Sequence, residues 1–179
     1  MLRMGRAEDV DAILDCFTRN RRHWRPWQPS KPRDFYTPAY WRRTLREAAR
    51  EFRNDRSLRL FLFLKDDPRR AVGMVNLFNP VRGAFQACTL GYALDRREQG
   101  KGLMTEALRL LISHAFGPMG FHRIMANVMP GNRRSARVLK SLGFRIEGRA
   151  RAFLLIAGRW EDHVLTSLVN PGWRAAKKR

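Results

Sequence analysis

Leu90 to Leu111 reads LGYALDRREQGKGLMTEALRLL, a strand that runs through Gln99-Gly100-Lys101-Gly102 directly into a helix. Apolar residues at Leu103, Ala107, Leu108, Leu111, Ile112 and Ala115 recur at helical spacing, and Gly117-Pro118 ends the run. Glycines at 100 and 102 let the backbone approach a ligand closely. The free N–H groups of the first helical turn form an anion site, to which Lys101 adds a full charge, so a pyrophosphate fits this cradle. A P-loop needs Gly-x-x-x-x-Gly-Lys-Ser/Thr, and a dinucleotide fingerprint needs a third glycine where Thr105 stands, so both are excluded. A loop that uses its glycines only to turn remains open until the flanking segments are read.

Upstream, Leu2 to Arg6 reads as a short strand, and Glu8 to Asn20 as an amphipathic helix through Val10, Ile13, Leu14 and Phe17. HWRPWQPSKPRDFYTP, from His23, holds four prolines and four aromatics in sixteen residues, a loop whose aromatics need cover or a ligand. A helix from Ala39 to Arg53 follows, then a meander of strands at Leu58 to Leu64, Val72 to Phe78 and Phe85 to Leu94. Downstream come a strand at Ile124 to Met129 and a helix from Asn132 to Leu142, stopped by Gly143. Two strands then meet at an Ala157-Gly158-Arg159 turn. This mixture predicts an α/β sandwich on a central sheet, one domain over residues 1–172, with a frayed basic tail over 173–179.

The 179 residues suit one domain, and 44% hydrophobic content is enough for its core. No apolar run is long enough to span a membrane and no secretory signal opens the chain, so a soluble cytoplasmic protein is expected. Cys16 and Cys88 form no framework, and the four histidines lack metal-ligand spacing, so no metal is expected. The net charge is +20, and only six of the thirty-six cations are lysine. Such a surface calls for an anionic partner such as RNA, a ribosome or a phosphorylated cofactor, or else reflects an arginine-rich codon composition.

Gln99-Gly100-Lys101-Gly102-Leu103 resembles the Gln/Arg-x-x-Gly-x-Gly/Ala signature of the GNAT (Gcn5-related) N-acetyltransferases, with Met104 replacing the final small residue. Asn132, Ser135 and Leu142-Gly143-Phe144 resemble a second family element, Asn-x-x-Ser leading to Leu-Gly-Phe. Within the family the likeness narrows to the Rim-type ribosomal-protein-alanine N-acetyltransferases. It is carried by the HWRPWQP loop, NPVRGAFQACTLGYAL, HRIMANVMPGNRRS and LLIAGRWEDHVLTSL. The family's usual extra strand before the first helix is largely absent here.

The resemblance implies a three-layer α/β/α sandwich with a mixed, mostly antiparallel sheet, and acetyl-CoA as donor. The pantetheine would pair with the end of the Gln86 to Leu94 strand, and the pyrophosphate would lie on Gln99, Gly100, Lys101, Gly102, Leu103 and Met104. A backbone N–H near Ala93 or Leu94, freed where strands splay, would stabilise oxyanion character on the thioester. Ser135 would give the leaving thiolate its proton, unless its hydroxyl only bonds backbone; Asn132 is a cap, a pantetheine ligand, or both. A Glu used as general base by a related ribosomal-protein acetyltransferase falls, counted without gaps, at Leu154 and so does not carry over. Glu106 is then the acidic group nearest the cofactor loop, its other use being a first-turn charge. Asp162 and His163 orient the amine, relay a proton, or hold structure. Trp24 and Trp27 wall the acceptor channel or cover the core. The acceptor is expected to be a protein N-terminus, ribosomal in kind, with weak electrostatic association to RNA. An α-amine near pKa 7.7 to 8.0 needs little help to deprotonate. The alternatives are a small-molecule amine acetyltransferase and a nonenzymatic RNA- or ribosome-binding module.

Overall fold

The computed structural model describes residues 1–174. Its sheet contains β1 (Leu2–Arg3), β2 (Leu58–Phe63), β3 (Ala71–Val81), β4 (Ala87–Leu94), β5 (Arg123–Val128), β6 (Arg145–Ile156) and β7 (Arg159–Val169). They lie in the order β1-β2-β3-β4-β5-β7-β6. Only β4 and β5 are parallel; all other neighbours are antiparallel. The helices are α1 (Val10–Arg19), α2 (Arg21–Trp24), α3 (Pro38–Arg53), α4 (Leu103–Phe116) and α5 (Arg133–Ser141).

Strand alternation explains the layering. Leu58 and Leu62 of β2 join the core under α4 and α5, with Leu108, Leu111 and Leu139, while Phe61 and Phe63 join the core under α1 and α3, with Ile13, Phe17, Trp41 and Leu45. The predicted meander, the α4 stripe and the hairpin turning at Ala157-Gly158 are all present.

Three expectations are corrected. Residues 23–27, read as loop, are helical, belonging to α2 (Arg21–Trp24) and a 3-10 turn over Arg25–Trp27. Pro26 is tolerated because the first-turn N–H groups of a helix need no helical partner. The aromatics of this segment find cover from one another: Phe17 packs edge-on against Trp24 and Phe35, and both Trp24 and Phe35 are buried. The first strand shrinks to Leu2–Arg3, extended by the N-terminal ammonium, which donates to Phe63 O at 2.7 Å. Finally, Trp173 is not frayed. Its indole N–H donates to Gly120 O at 2.9 Å and its ring meets His122, while residues 175–179 lie outside the described residues.

The end of β4 is anchored by a buried carboxylate. Asp95 accepts from Arg19 Nε at 2.7 Å and from Arg97 N at 3.0 Å, and Arg96 N donates to the buried Asn20 side chain. Burial works to raise the Asp95 pKa, but the Arg97 N–H and the Arg19 guanidinium outweigh it and hold it below its ordinary value. A lowered native pKa means the stabilisation is complete above the ordinary carboxylate range and is lost as pH falls below it, through the lowered native value. Asp95→Asn, which removes the buried counter-charge of Arg19 and leaves it only the exposed Asp15, should lose about 3 kcal/mol in urea denaturation at pH 7. That deficit should shrink on acidification; a deficit unchanged at low pH would mean the charge is not its source.

Candidate active site

β4 and β5 pair only from Ala87↔Arg123 to Thr89↔Met125, although β4 continues to Leu94 and β5 to Val128. Beyond Thr89 the two strands diverge and leave an opening in the sheet. Asp95 N donates to Val72 O, and Ala93 O lies against Gly73, so the polar groups of Ala93 and Asp95 face β3. Peptide groups alternate along a strand, so those of Tyr92 and Leu94 face the opening. Trp24 Nε1 occupies Leu94 O at 3.0 Å, which leaves the Leu94 N–H directed into the gap. Of the two predicted donors, the geometry selects Leu94 and sets Ala93 aside.

The cradle beside this opening has the predicted backbone. Gly100 and Gly102 have φ of 81° and 77°, and a Cβ at either would project into open space. This left-handed conformation favours glycine. The first helical bond of α4 runs from Glu106 N to Gly102 O, so the N–H groups of Leu103, Met104 and Thr105 precede the ladder and stay available to an anion. Met104 contributes only backbone, its side chain being buried in the core.

Lys101 departs from expectation, because its ammonium is 2.8 Å from the buried carboxylate of Glu98, which also holds Arg70 at 2.9 Å. Positive charge reaches the cradle by another route. Gln99 Oε1 accepts from Arg134 Nη1 at 2.5 Å, and Gln99 Nε2 lies 2.9 Å from His23 Nε2. Burial first, then the charges of Arg134 and Arg96, push the His23 pKa down. Arg134 follows Asn132 by two residues, and only the folded proximity of α5 to the cradle reveals it.

Asn132 caps α5, its side-chain oxygen accepting from Ser135 N at 3.2 Å. Ser135 Oγ stands 2.7 Å from Tyr92 Oη, which also lies 3.2 Å from Ser135 O. The hydroxyl pair thus bridges β4 and α5 across the opening. Burial pushes the Tyr92 phenol up to about 12, so it stays protonated at neutral pH and can donate. Strand alternation in LGYAL carried the available sign of Tyr92, since it places Leu90 and Tyr92 on one face.

Just past the end of β5, a groove of about 590 Å3 is lined by Trp27, Met129, Arg149, Trp160, Glu161 and Asp162 among others. Trp27 rests on Gly131 and joins the predicted acceptor wall, whereas the buried Trp24 pins β4 instead. Asp162 reaches the groove but is engaged by Arg149 Nη2 at 2.8 Å and Ala152 N at 2.9 Å, the latter bond steadying a strand bulge at φ 45°. Those two partners hold its pKa below the ordinary value. His163 is buried, its Nδ1 3.0 Å from Glu161 O, and takes no part in lining the groove. Glu106 sits on the solvent face of α4, opposite Met104 and Leu108, and so points away from the sheet and its opening. A general base must come within hydrogen-bond reach of its proton, so Glu106 is better placed as a first-turn charge. Glu161, absent from the sequence-based candidates, lines the groove with no ion pair or hydrogen bond to its carboxylate among the described residues.

A splayed parallel pair, a glycine cradle and a capped helix carrying Ser135 agree with a family model. The model described as Acetyltransferase (GNAT) domain matches residues 1–145. The chain belongs to the GNAT acetyltransferase family. This acetyltransferase is 40% identical over 173 residues to the [ribosomal protein uS5]-alanine N-acetyltransferase of Escherichia coli (strain K12), covering 97% of this chain and 89% of that protein. Among solved structures, the ribosomal-protein-S5-alanine acetyltransferase of Vibrio fischeri superposes with a TM-score of 0.92 at 37% identity, covering 97% of this chain and 94% of that one. Mycobacterium smegmatis RimJ in complex with CoA-disulfide gives 0.87 at 30% identity, covering 94% and 80%. The seven-stranded mixed sheet with helices on both faces is the GNAT fold. Among the described residues no group of three His, Cys, Asp or Glu side chains could hold a metal, and no helix is long and apolar enough to cross a membrane.

The open space before both glycines separates charge from strain. Gly100→Asp/Gly102→Asp should abolish calorimetric CoA binding, whereas the isosteric Asn pair, equally able to adopt positive φ, should bind at least tenfold more tightly than the Asp pair. Equal affinities of the two pairs would remove the cradle as the anion site.

Proposed function

We propose that this acetyltransferase moves the acetyl group of acetyl-CoA to the N-terminal α-amine of a ribosomal protein, in the cytoplasm. The observation that carries the reading is the opening after Thr89, which supports a site formed by the Leu94 N–H and the Tyr92–Ser135 pair, with the glycine cradle at the start of α4 and a groove lined by the residues that follow β5. Near-full-length similarity to enzymes named for acetylating the alanine of ribosomal protein S5 supports the acceptor class. The +20 charge supports attraction towards the ribosome, including weak contact with its RNA.

The cradle fits the diphosphate: its glycines leave room, and the first-turn N–H groups of α4 face it without helical partners. When bound, acetyl-CoA supplies an acyl thioester to the opening. The Leu94 N–H donates to the carbonyl oxygen as charge develops there, a contribution that strengthens towards the transition state. Ser135, backed by the protonated Tyr92 phenol, holds a proton for the departing sulfur. Glu161 receives the acceptor's ammonium in the groove and takes its proton, leaving a neutral amine to attack.

Peptides copying an alanine-initiated N-terminus should be acetylated, with activity lost when the terminus is blocked and kept when internal lysines are replaced. Transfer to lysine side chains alone, or to small free amines and no peptide, would overturn the proposal. Glu161→Gln should lower kcat/KM at pH 7 by roughly a hundredfold. Because the free amine deprotonates near pH 7.7 to 8.0, activity of the variant should recover towards wild type above that range. A deficit of equal size at every pH would make Glu161 a binding group rather than the base.

A further inference from the structure

A second cavity, of about 560 Å3, opens between α1–α2 and the segment that follows them, and it shares the wall residue Ala157 with the acceptor groove. Four of its lining side chains are cationic, Arg21, Arg25, Lys31 and Arg33, and none is acidic. In an arginine-rich chain exposed guanidinium groups alone mean little. What sets this cluster apart is its enclosure in one cavity without an acid: no carboxylate is among the lining residues, and among the described residues none of the four cations is in an ion pair, as is true of most arginines of the chain.

The cluster is also partly withdrawn from water. Lys31 is half-buried with its ammonium 5.1 Å from the centre of the Phe35 ring, and Arg21 stacks 4.6 Å over Tyr36. Burial, and then the charge of Arg59, pushes the Lys31 pKa down, and the Nε of Arg59 is itself buried without a hydrogen-bond partner. Lys31 is the withdrawn member, Arg21, Arg25 and Arg33 being exposed; like charges gathered around it repel one another, and a bound anion would reduce that cost.

We infer that this cavity is a second acceptor subsite, binding a carboxylate side chain of the acceptor polypeptide a few residues after the amine that is acetylated. The inference rests on the polypeptide acceptor proposed above. Two roughly spherical cavities of these volumes sharing a wall have centres on the order of 10 Å apart, which an extended chain spans in about three residues. The forked guanidinium groups suit a carboxylate held in two-point contact. A concave cavity with Trp24 and Pro29 among its lining residues admits a peptide side chain, whereas a nucleic-acid backbone calls for an open track of cations.

The test uses the full chain, acetyl-CoA and peptides identical at residues one and two that carry Glu, Gln or Lys at residues three to six. The Glu peptide should have a KM roughly tenfold below that of the Gln peptide at similar kcat, and the Lys peptide the highest KM. Arg21→Gln/Lys31→Gln should raise the KM of the Glu peptide to that of the Gln peptide. Arg25→Gln/Arg33→Gln, at two exposed side chains with no hydrogen bond or ion pair in the fold, should do the same and rules out misfolding as the cause. Turnover with no preference for Glu, or a preference that survives both double variants, overturns the subsite and leaves the polypeptide acceptor standing. No turnover of any peptide overturns both. Competition by a short RNA that is lost in the double variants, without any Glu preference, would assign the cavity to nucleic acid and overturn the inference.

Discussion

Everything at the candidate site follows from the loss of pairing between β4 and β5 after Thr89. A parallel pair that stayed together would consume the inward peptide groups of Tyr92 and Leu94 in a ladder and leave no passage through the sheet. Because the strands part, each exposed group needs another partner. Leu94 O finds the indole of Trp24, and Asp95 turns back to β3 through Val72 O, while the Leu94 N–H is left for a ligand. The gap is bridged by side chains, Tyr92 from one strand meeting Ser135 at the start of α5. The structure thus holds the opening rigid with the same residues that would do chemistry in it.

The charges around the opening are arranged to keep that geometry rather than to attract a phosphate by brute force. Asp95 and Glu98, both buried, draw in Arg19, Arg70 and Lys101 and so fasten the turn between β4 and α4 to α1 and to the chain just before β3. Lys101 is spent on this fastening. In the proposed reading anion affinity would rest on the backbone N–H groups of the first α4 turn, which are fixed in direction, with Arg134 adding charge through its bond to Gln99. Rigid donors cost less reorganisation than a mobile ammonium when charge moves during a reaction.

Periodic features were legible in the sequence, while features made by long-range contact were not. The α4 stripe, the β2–β4 meander, the turn at Ala157-Gly158 and the Asn132 cap are encoded within a few residues of themselves, and all appear as read. The helical stretch over residues 23–27 was hidden because Pro26 reads as a breaker unless the start of the turn is known. Trp173 looked like a tail because its acceptor, Gly120, lies fifty-three residues away. Glu161 was obscured by bulges. Register shifts between Ile146 and Gly148, and between Ala150 and Leu154, move β6 against β7, so counting alternate residues along LLIAGRWEDHVL cannot say which of Glu161, Asp162 and His163 meets the groove. The ungapped family count that fell on Leu154 landed directly across the ladder from Glu161.

Acidic side chains are scarce in this chain, which makes their placement informative. Among the described residues ten of the sixteen stand in ion pairs. Of the rest, Asp11, Asp66, Asp67 and Glu106 are exposed, and Glu51 accepts from Ser57. Glu161 alone is half-buried with its carboxylate unengaged among the described residues, and it faces the acceptor groove. Next door, the cavity of Arg21 and Lys31 has the opposite imbalance, cations without an acid. A free carboxylate suits an incoming ammonium, and free cations suit a carboxylate further along the same chain. Under the proposed reading the two neighbouring imbalances suit one ligand, a polypeptide that would enter amine first and carry negative charge behind it.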